Sequence, residues 1–258
     1  TNILTEDQLI YCEDGWHDMQ KNVSFVTQNA YMKQDGRIIR GDTLYYEADA
    51  GFGEAHSNVV MVDSVENMPL KGNVGLYFSE HQALMVTDSA LMIQVDGPDT
   101  MYVHADTLRS MQNTDSLGIG RILKAYYKVK IYRSDMQVMC DSLIYIESDS
   151  AFDFYGEPVL WAEENQLTAS QIKVIMKDQQ LQRMEMTGVA LVISQKDSTK
   201  YDQMRGKEMT GYFVDNRLNR IIVTGNGQTI YYATEEEKIV GANKTECSDL
   251  VIYLTDNK

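Results

Sequence analysis

The residues able to do chemistry are present but scattered. The four histidines, His17, His56, His81 and His104, show neither HxH nor HExxH spacing, so no pair of them is set to hold a metal. The three cysteines, Cys12, Cys140 and Cys247, lie far apart and include no CxxC. Zinc is therefore not expected, and at most one internal disulfide can form. Cys140 and Cys247 each precede a similar segment, "DSLIYI" and "SDLVIYL", which suits buried small side chains at equivalent positions. No GxSxG marks a nucleophile, and "GIG" at Gly118–Gly120 is too short for a dinucleotide fingerprint. Glu163 and Glu164 could serve as a glycosidase pair, but with 38 acidic residues chance adjacency is enough to explain them. "TEEEK" at Thr234–Lys238 reads as a solvated turn. No catalytic residue, metal or cofactor is expected. The unusual component is methionine, 15 of 258 residues, whose flexible side chain fills cores and lines surfaces that accept variable apolar shapes.

The elements that must position these residues are strands. Apolar bursts of four to seven residues, rich in Val, Ile, Tyr and Leu, are bounded by Asn, Asp, Gly or Ser, and helical periodicity is nearly absent. The bursts recur as two sets. One has a small or polar lead-in: "GDTLYY", "ADTLRSM", "CDSLIYI", "ASQIKVIM", "GKEMTGYF" and "CSDLVIYL". The other centres on valine: "KNVSF", "SNVVMV", "GNVGLYF", "YKVKIY", "EPVLWA" and "TGVALVI". The sets largely alternate, and Val129, Val159 and Val189 follow at 30-residue intervals. A period of that size implies a stacked repeat.

Alternation within a burst predicts its faces. Val129 and Ile131 oppose Lys128 and Lys130, and Ile172, Val174 and Met176 oppose Lys173. With the lysines in water, the Leu- and Val-anchored positions point inward. The same phase places Phe25, Leu44, Tyr46, Val59, Met61, Val74, Leu76 and Phe78 inside. It does so too for Leu143, Tyr145, Val159, Trp161, Val189, Leu191 and Ile193, and for Phe213, Leu250, Ile252 and Leu254. A one-residue slip would invert a burst.

"QDGR" at Gln34–Arg37 and "DGPD" at Asp96–Asp99 are expected hairpin turns. Arg109–Arg121 is the best candidate for a longer loop, Lys196–Lys200 is a polar loop, and Met61–Lys71 suits an irregular connection. Residues 1–21 are unassigned, an extension or first strand. Residues 22–258 form one repeated β region, with room for two continuous halves joined near 109–121. Net charge is −15, which repels phosphate backbones and bare anionic membranes and keeps a sheet-rich chain soluble. Nucleic acid is not an expected partner. No apolar run approaches the ~20 residues that span a bilayer, and no basic segment followed by an apolar one opens the chain.

Three stretches, "GDTLYYEADAGFGEAHSNVVM", "AYYKVKIYRSDMQVMCDSLIYI" and "GEPVLWAEENQLTASQIKV", carry a family resemblance. The chain resembles the OstA-like periplasmic proteins, which include the lipopolysaccharide transport protein A and the amino-terminal domain of the lipopolysaccharide assembly protein D. The likeness is to the Bacteroidetes type and runs from about Asn22 onward. The resemblance implies a folded-over β-jelly-roll, or "taco", with an open seam and an apolar interior. It implies a periplasmic place, free or attached to an outer-membrane component, and no enzymatic activity. It also implies lipopolysaccharide as ligand, with acyl chains against the inward residues named above. Partners would be other jelly-roll proteins joined edge to edge. A structural or adhesive solenoid filled by its own side chains fits the same alternation.

Overall fold

A computed structural model describes residues 2–4, 8–34, 36–63, 68–96, 99–113, 120–178, 180–236 and 238–254. Those residues are all-β, with no helix. They divide into two compact units, Thr1–Ser134 and Asp135–Lys258. The join thus falls at 134/135, whereas 109–113 continues a strand and 114–119 lies outside the described residues.

Unit 1 holds β1 (Asn2–Leu4), β2 (Gln8–Tyr11), β3 (Asp14–Asp18), β4 (Val23–Gln34), β5 (Arg37–Glu47), β6 (Phe52–Asp63), β7 (Leu70–Phe78), β8 (Ala83–Asp96), β9 (Asp99–Asn113) and β10 (Gly120–Arg133). From β4 to β10 it is an antiparallel meander in which each strand pairs with the next. The first residues belong to it, since β2 and β3 both pair with β4. Gln34 pairs with Arg37 and Asp96 with Asp99, as the two turn motifs predict.

Unit 2 holds β11 (Met136–Ile146), β12 (Ala151–Tyr155), β13 (Val159–Ala162), β14 (Asn165–Thr168), β15 (Gln171–Lys177), β16 (Gln180–Gln195), β17 (Tyr201–Val214), β18 (Arg217–Glu235) and β19 (Lys238–Tyr253). The pairings β11–β12–β15–β16–β14–β13–β11 close a circuit of six, a small barrel by connectivity, with β17–β19 outside it. The circuit arises because β12 with β13, and β14 with β15, are successive arms of one long strand broken in the middle. The loop Lys196–Lys200 is polar as expected. Asp197 accepts from the Thr199 and Lys200 amides, and those bonds lower its pKa to about 2.

The strands are longer than the bursts suggest because most contain two bursts in series, separated by a bulge. Two residues with positive φ interrupt most alternate strands, at Gln28–Asn29, Ser57–Asn58, Asp88–Ser89, Gly156–Glu157, Gly188–Val189 and Gly225–Asn226, and β10 has one, Lys128. Across the ladder Asn29, Asn58 and Asn73 donate to Glu13, Asp42 and Asp88, tying neighbouring strands at the interruption. Short polar side chains tolerate the left-handed region and bond locally, which explains their place here. The intervening strands carry a small residue beside it: Gly41, Gly72, Ala105, Cys140, Ala169, Gly206 and Cys247. These are the first residues of the polar lead-ins, with "GNVGLYF" among them. A Cβ on Gly72 would sit 2.4 Å from Val86 Cγ1, and one on Gly206 2.3 Å from Val223 Cγ1. Two arms of each strand meet at this line of small residues, and only small side chains leave room for the approach. Bulges of this kind bend a strand and add twist.

Candidate functional site

The pairing registers line up inward residues as rows across strands. In unit 1 one row runs Val26–Leu44–Ala55–Gly75–Val86–Leu108–Ala125, and the next Ser24–Tyr46–Gly53–Tyr77–Leu84–Ser110–Leu123. The opposite arms contribute Met32–Ile39–Met61–Leu70–Met92–Val103–Ile131. All of these residues are buried. Arms touch directly: a Cβ on Gly75 would meet Met61 Cε at 2.5 Å. The void beside Val26, Met32, Ile39 and Leu44 holds about 10 Å³, barely one water.

Polar side chains seal the far end of this interior. Tyr46 donates its hydroxyl to Gln34 Oε1 at 2.9 Å. Asp63 accepts an ion pair from Arg121 at 2.9 Å and another from Arg37 at 3.3 Å. Arg121 also donates to Ser110 Oγ, and Arg37 to Gln82 Oε1. These contacts join the tips of opposite arms, and all three charged groups are largely shielded from water. A buried charge needs such partners, because an unpaired one is costly.

Unit 2 repeats the rows and then opens. Leu143–Phe154–Ile172–Met186–Met209–Val223–Leu250 is buried until its last member, which is half-buried. The next row, Tyr145–Phe152–Val174–Met184–Gly211–Ile221–Ile252, is half-buried throughout except for Met184. Tyr145 and Phe152 stack with ring centres 4.3 Å apart. Phe213 and Leu218 extend the same face around Gly211. The opposite arm turns polar toward the end, where Val138, Leu160 and Leu167 give way to Thr229 and Thr245.

The structure therefore brings together Leu44, Tyr46, Val59, Met61, Val129 and Ile131 in the sealed interior of unit 1. Leu143, Tyr145, Ile172, Val174, Met176, Phe213, Leu250 and Ile252 share the inner face of unit 2. Leu254 follows in phase, 42% exposed. Nine expected inward residues are on the other face. Phe25 stacks on Trp16, away from the interior. Val74, Leu76 and Phe78 are out of phase because "GNVG" is a polar lead-in, so Gly75, not Val74, occupies the position of Leu44. Val159 and Trp161 face outward because Glu157 and Pro158 lengthen the bulge, and Leu160 points in instead. In β16 Val189 is itself a bulge residue, 58% exposed, with Ala190 buried in its stead. Leu191 and Ile193 consequently face outward with Arg205 and Gln203.

Sequence reasoning missed Phe152, Met184 and Ile221. The alternating "AFDFY" signalled the first, and the other two needed the register. The histidines do not converge: His17 Nδ1 lies 3.0 Å from buried Ser24 Oγ, while His56 and His81 lie beside Glu54 and Glu80. Among the described residues no three His, Cys, Asp or Glu side chains are grouped to hold a metal, and no helix is long and apolar enough to cross a membrane. Cys140 is buried, and desolvation raises its thiol to about 12.

The fold and rows define a class: a bulged antiparallel meander with an apolar face sealed in one unit and half-open in the other. No family model matches the chain, and no curated protein matches it.

Proposed function

We propose that the chain binds an amphiphilic lipid, in the first place a lipopolysaccharide, and lays its acyl chains along the half-open inner face of unit 2. One observation supports this above the others. The row Tyr145–Phe152–Val174–Met184–Gly211–Ile221–Ile252 is continuous across strands and, apart from buried Met184, only half-buried, although its counterpart in unit 1 is covered. Water penalises an exposed methylene by ~0.8 kcal/mol, so a 12-carbon chain gains on the order of 9 kcal/mol on full burial. A face that covers the chain on one side only recovers part of that and allows release. The sugars would remain in water. In this reading the protein works in the periplasm as a carrier, and the edge of β19 (which pairs with β18 on its other side) receives a strand of a neighbouring β protein.

A photocrosslinker at Ile221, incubated with lipopolysaccharide, is expected to form a lipid adduct. The same group at outward Lys173 or at sealed Met61 should not. Adducts at Lys173 alone, or none at Ile221, would overturn the reading. The packed interior of unit 1 favours a second reading for that unit, a self-filled structural solenoid. Crosslinking at Met61 equal to that at Ile221 would remove it.

A further inference from the structure

We infer that the outer side of the bend in β16–β18 and β19 is a binding site for a small organic anion with an apolar part, such as an alkyl phosphate. This site is separate from the inner face and does not depend on the lipid reading. A groove of about 490 Å³ lies there, lined by Val189, Arg205, Lys207, Asn226, Gln228 and Glu246, with Gly206 and Gly227 at its floor. That volume suits a small ligand.

Three features point to an occupant. First, Arg205 and Lys207 flank Gly206 and form no ion pair or hydrogen bond among the described residues. Two free cations in one concavity are unexpected in a chain of net charge −15. The one acid of the lining, Glu246, is engaged by Lys244 at 2.6 Å, which holds its carboxyl below the usual range. Second, Val189 has φ of +56°, the only β-branched residue with positive φ among the described residues. Every other bulge position in this line is glycine or polar, and a branched side chain resists that conformation. Strain of this kind collects at ligand sites. Third, the strained residue presents its isopropyl group to solvent at the groove. Gln228 and Asn226 add neutral donors. The arrangement offers charge-assisted bonds to an anionic group and one apolar contact to the rest of the molecule.

Titration calorimetry of the full chain with hexyl phosphate tests this, with hexanol and inorganic phosphate as controls. Saturable binding is expected for hexyl phosphate, weaker binding for phosphate and none for hexanol. Arg205→Gln and Lys207→Gln should each weaken hexyl phosphate by about tenfold or more, and added salt should weaken it further. Val189→Asn, which suits the backbone, should weaken hexyl phosphate but not phosphate. Ile221→Asp, on the inner face, should leave hexyl phosphate binding unchanged while weakening the lipid binding of the proposed function. Competition by phosphatidylglycerol vesicles, lost in Arg205→Gln, would make a lipid headgroup the source of the anion; no competition makes it a free metabolite. Absence of saturable binding, or binding indifferent to both Gln variants, overturns the site. Loss in Ile221→Asp alone would place the ligand on the inner face and overturn it as well.

Discussion

Both units are built from the same strand, two apolar arms about a bulge, yet one is closed and the other half-open. The difference lies less in how apolar the inner rows are than in what ends them. In unit 1 the arm tips carry Gln34, Arg37 and Asp63 opposite Tyr46, Ser110 and Arg121, and these bond across the interior. In unit 2 the corresponding positions carry Met136, Ala162 and Asn165 on one arm and Tyr145, Phe152 and Val174 on the other. There the apolar side chains Tyr145, Phe152 and Val174 remain at the water boundary. An alternating strand pattern is thus compatible with a fully buried row and with a half-buried one, and in unit 1 polar residues at the rim cover the interior.

The largest effect expected from breaking this contrast is at Asp63. Asp63→Ala removes the counter-charge of two shielded guanidiniums and should cost about 3–5 kcal/mol of unit 1 stability, read by urea unfolding. A loss below 1 kcal/mol would mean the seal is not what closes the interior. Next come truncations in matching rows. Leu84→Ala, fully enclosed, should cost about 2–5 kcal/mol. Ile221→Ala, half-buried, should cost about 1 kcal/mol, since less apolar area leaves water. Equal costs would erase the distinction between a sealed and an open interior.

The bend supplies a finer comparison. Gly72→Ala places a Cβ 2.9 Å from the Thr87 carbonyl oxygen as well as against Val86, and should cost about 1–3 kcal/mol. Gly241→Ala meets nothing within 4 Å and should stay within about 0.5 kcal/mol of the parent. The last contrast is chemical. Cys140 sits in the bend with its thiol raised to about 12 and should resist iodoacetamide at pH 8 in the folded chain. Because its folded pKa exceeds the ordinary value near 9, its contribution to stability is complete below pH 9 and is lost as pH rises toward 12. An alkaline unfolding shift that persists unchanged in Cys140→Ala would contradict this.

Much of the fold can be read from the chain. The Val-, Ile- and Tyr-rich bursts, the hairpin motifs and the alternating lead-ins all correspond to observed features. The phase was harder. At Val74, Val159, Val189, Leu191 and Ile193 each assignment depended on how many residues the adjoining bulge absorbs. One residue more or fewer inverts the face. The two bursts of one strand also look like two strands, because a bulge residue such as Asn58 or Ser89 resembles a turn residue: both need left-handed backbone.

By itself, then, the order of residues determined that this is a β protein, how its strands alternate and where they are interrupted, since those follow from local side-chain and backbone preferences. Only the tertiary structure decided which arm faces which, that Arg37, Asp63 and Arg121 meet across 84 positions of chain, and that Ile221 and Ile252 stay half in water. Those outcomes depend on long-range registers and on space at a bend, which no local pattern encodes.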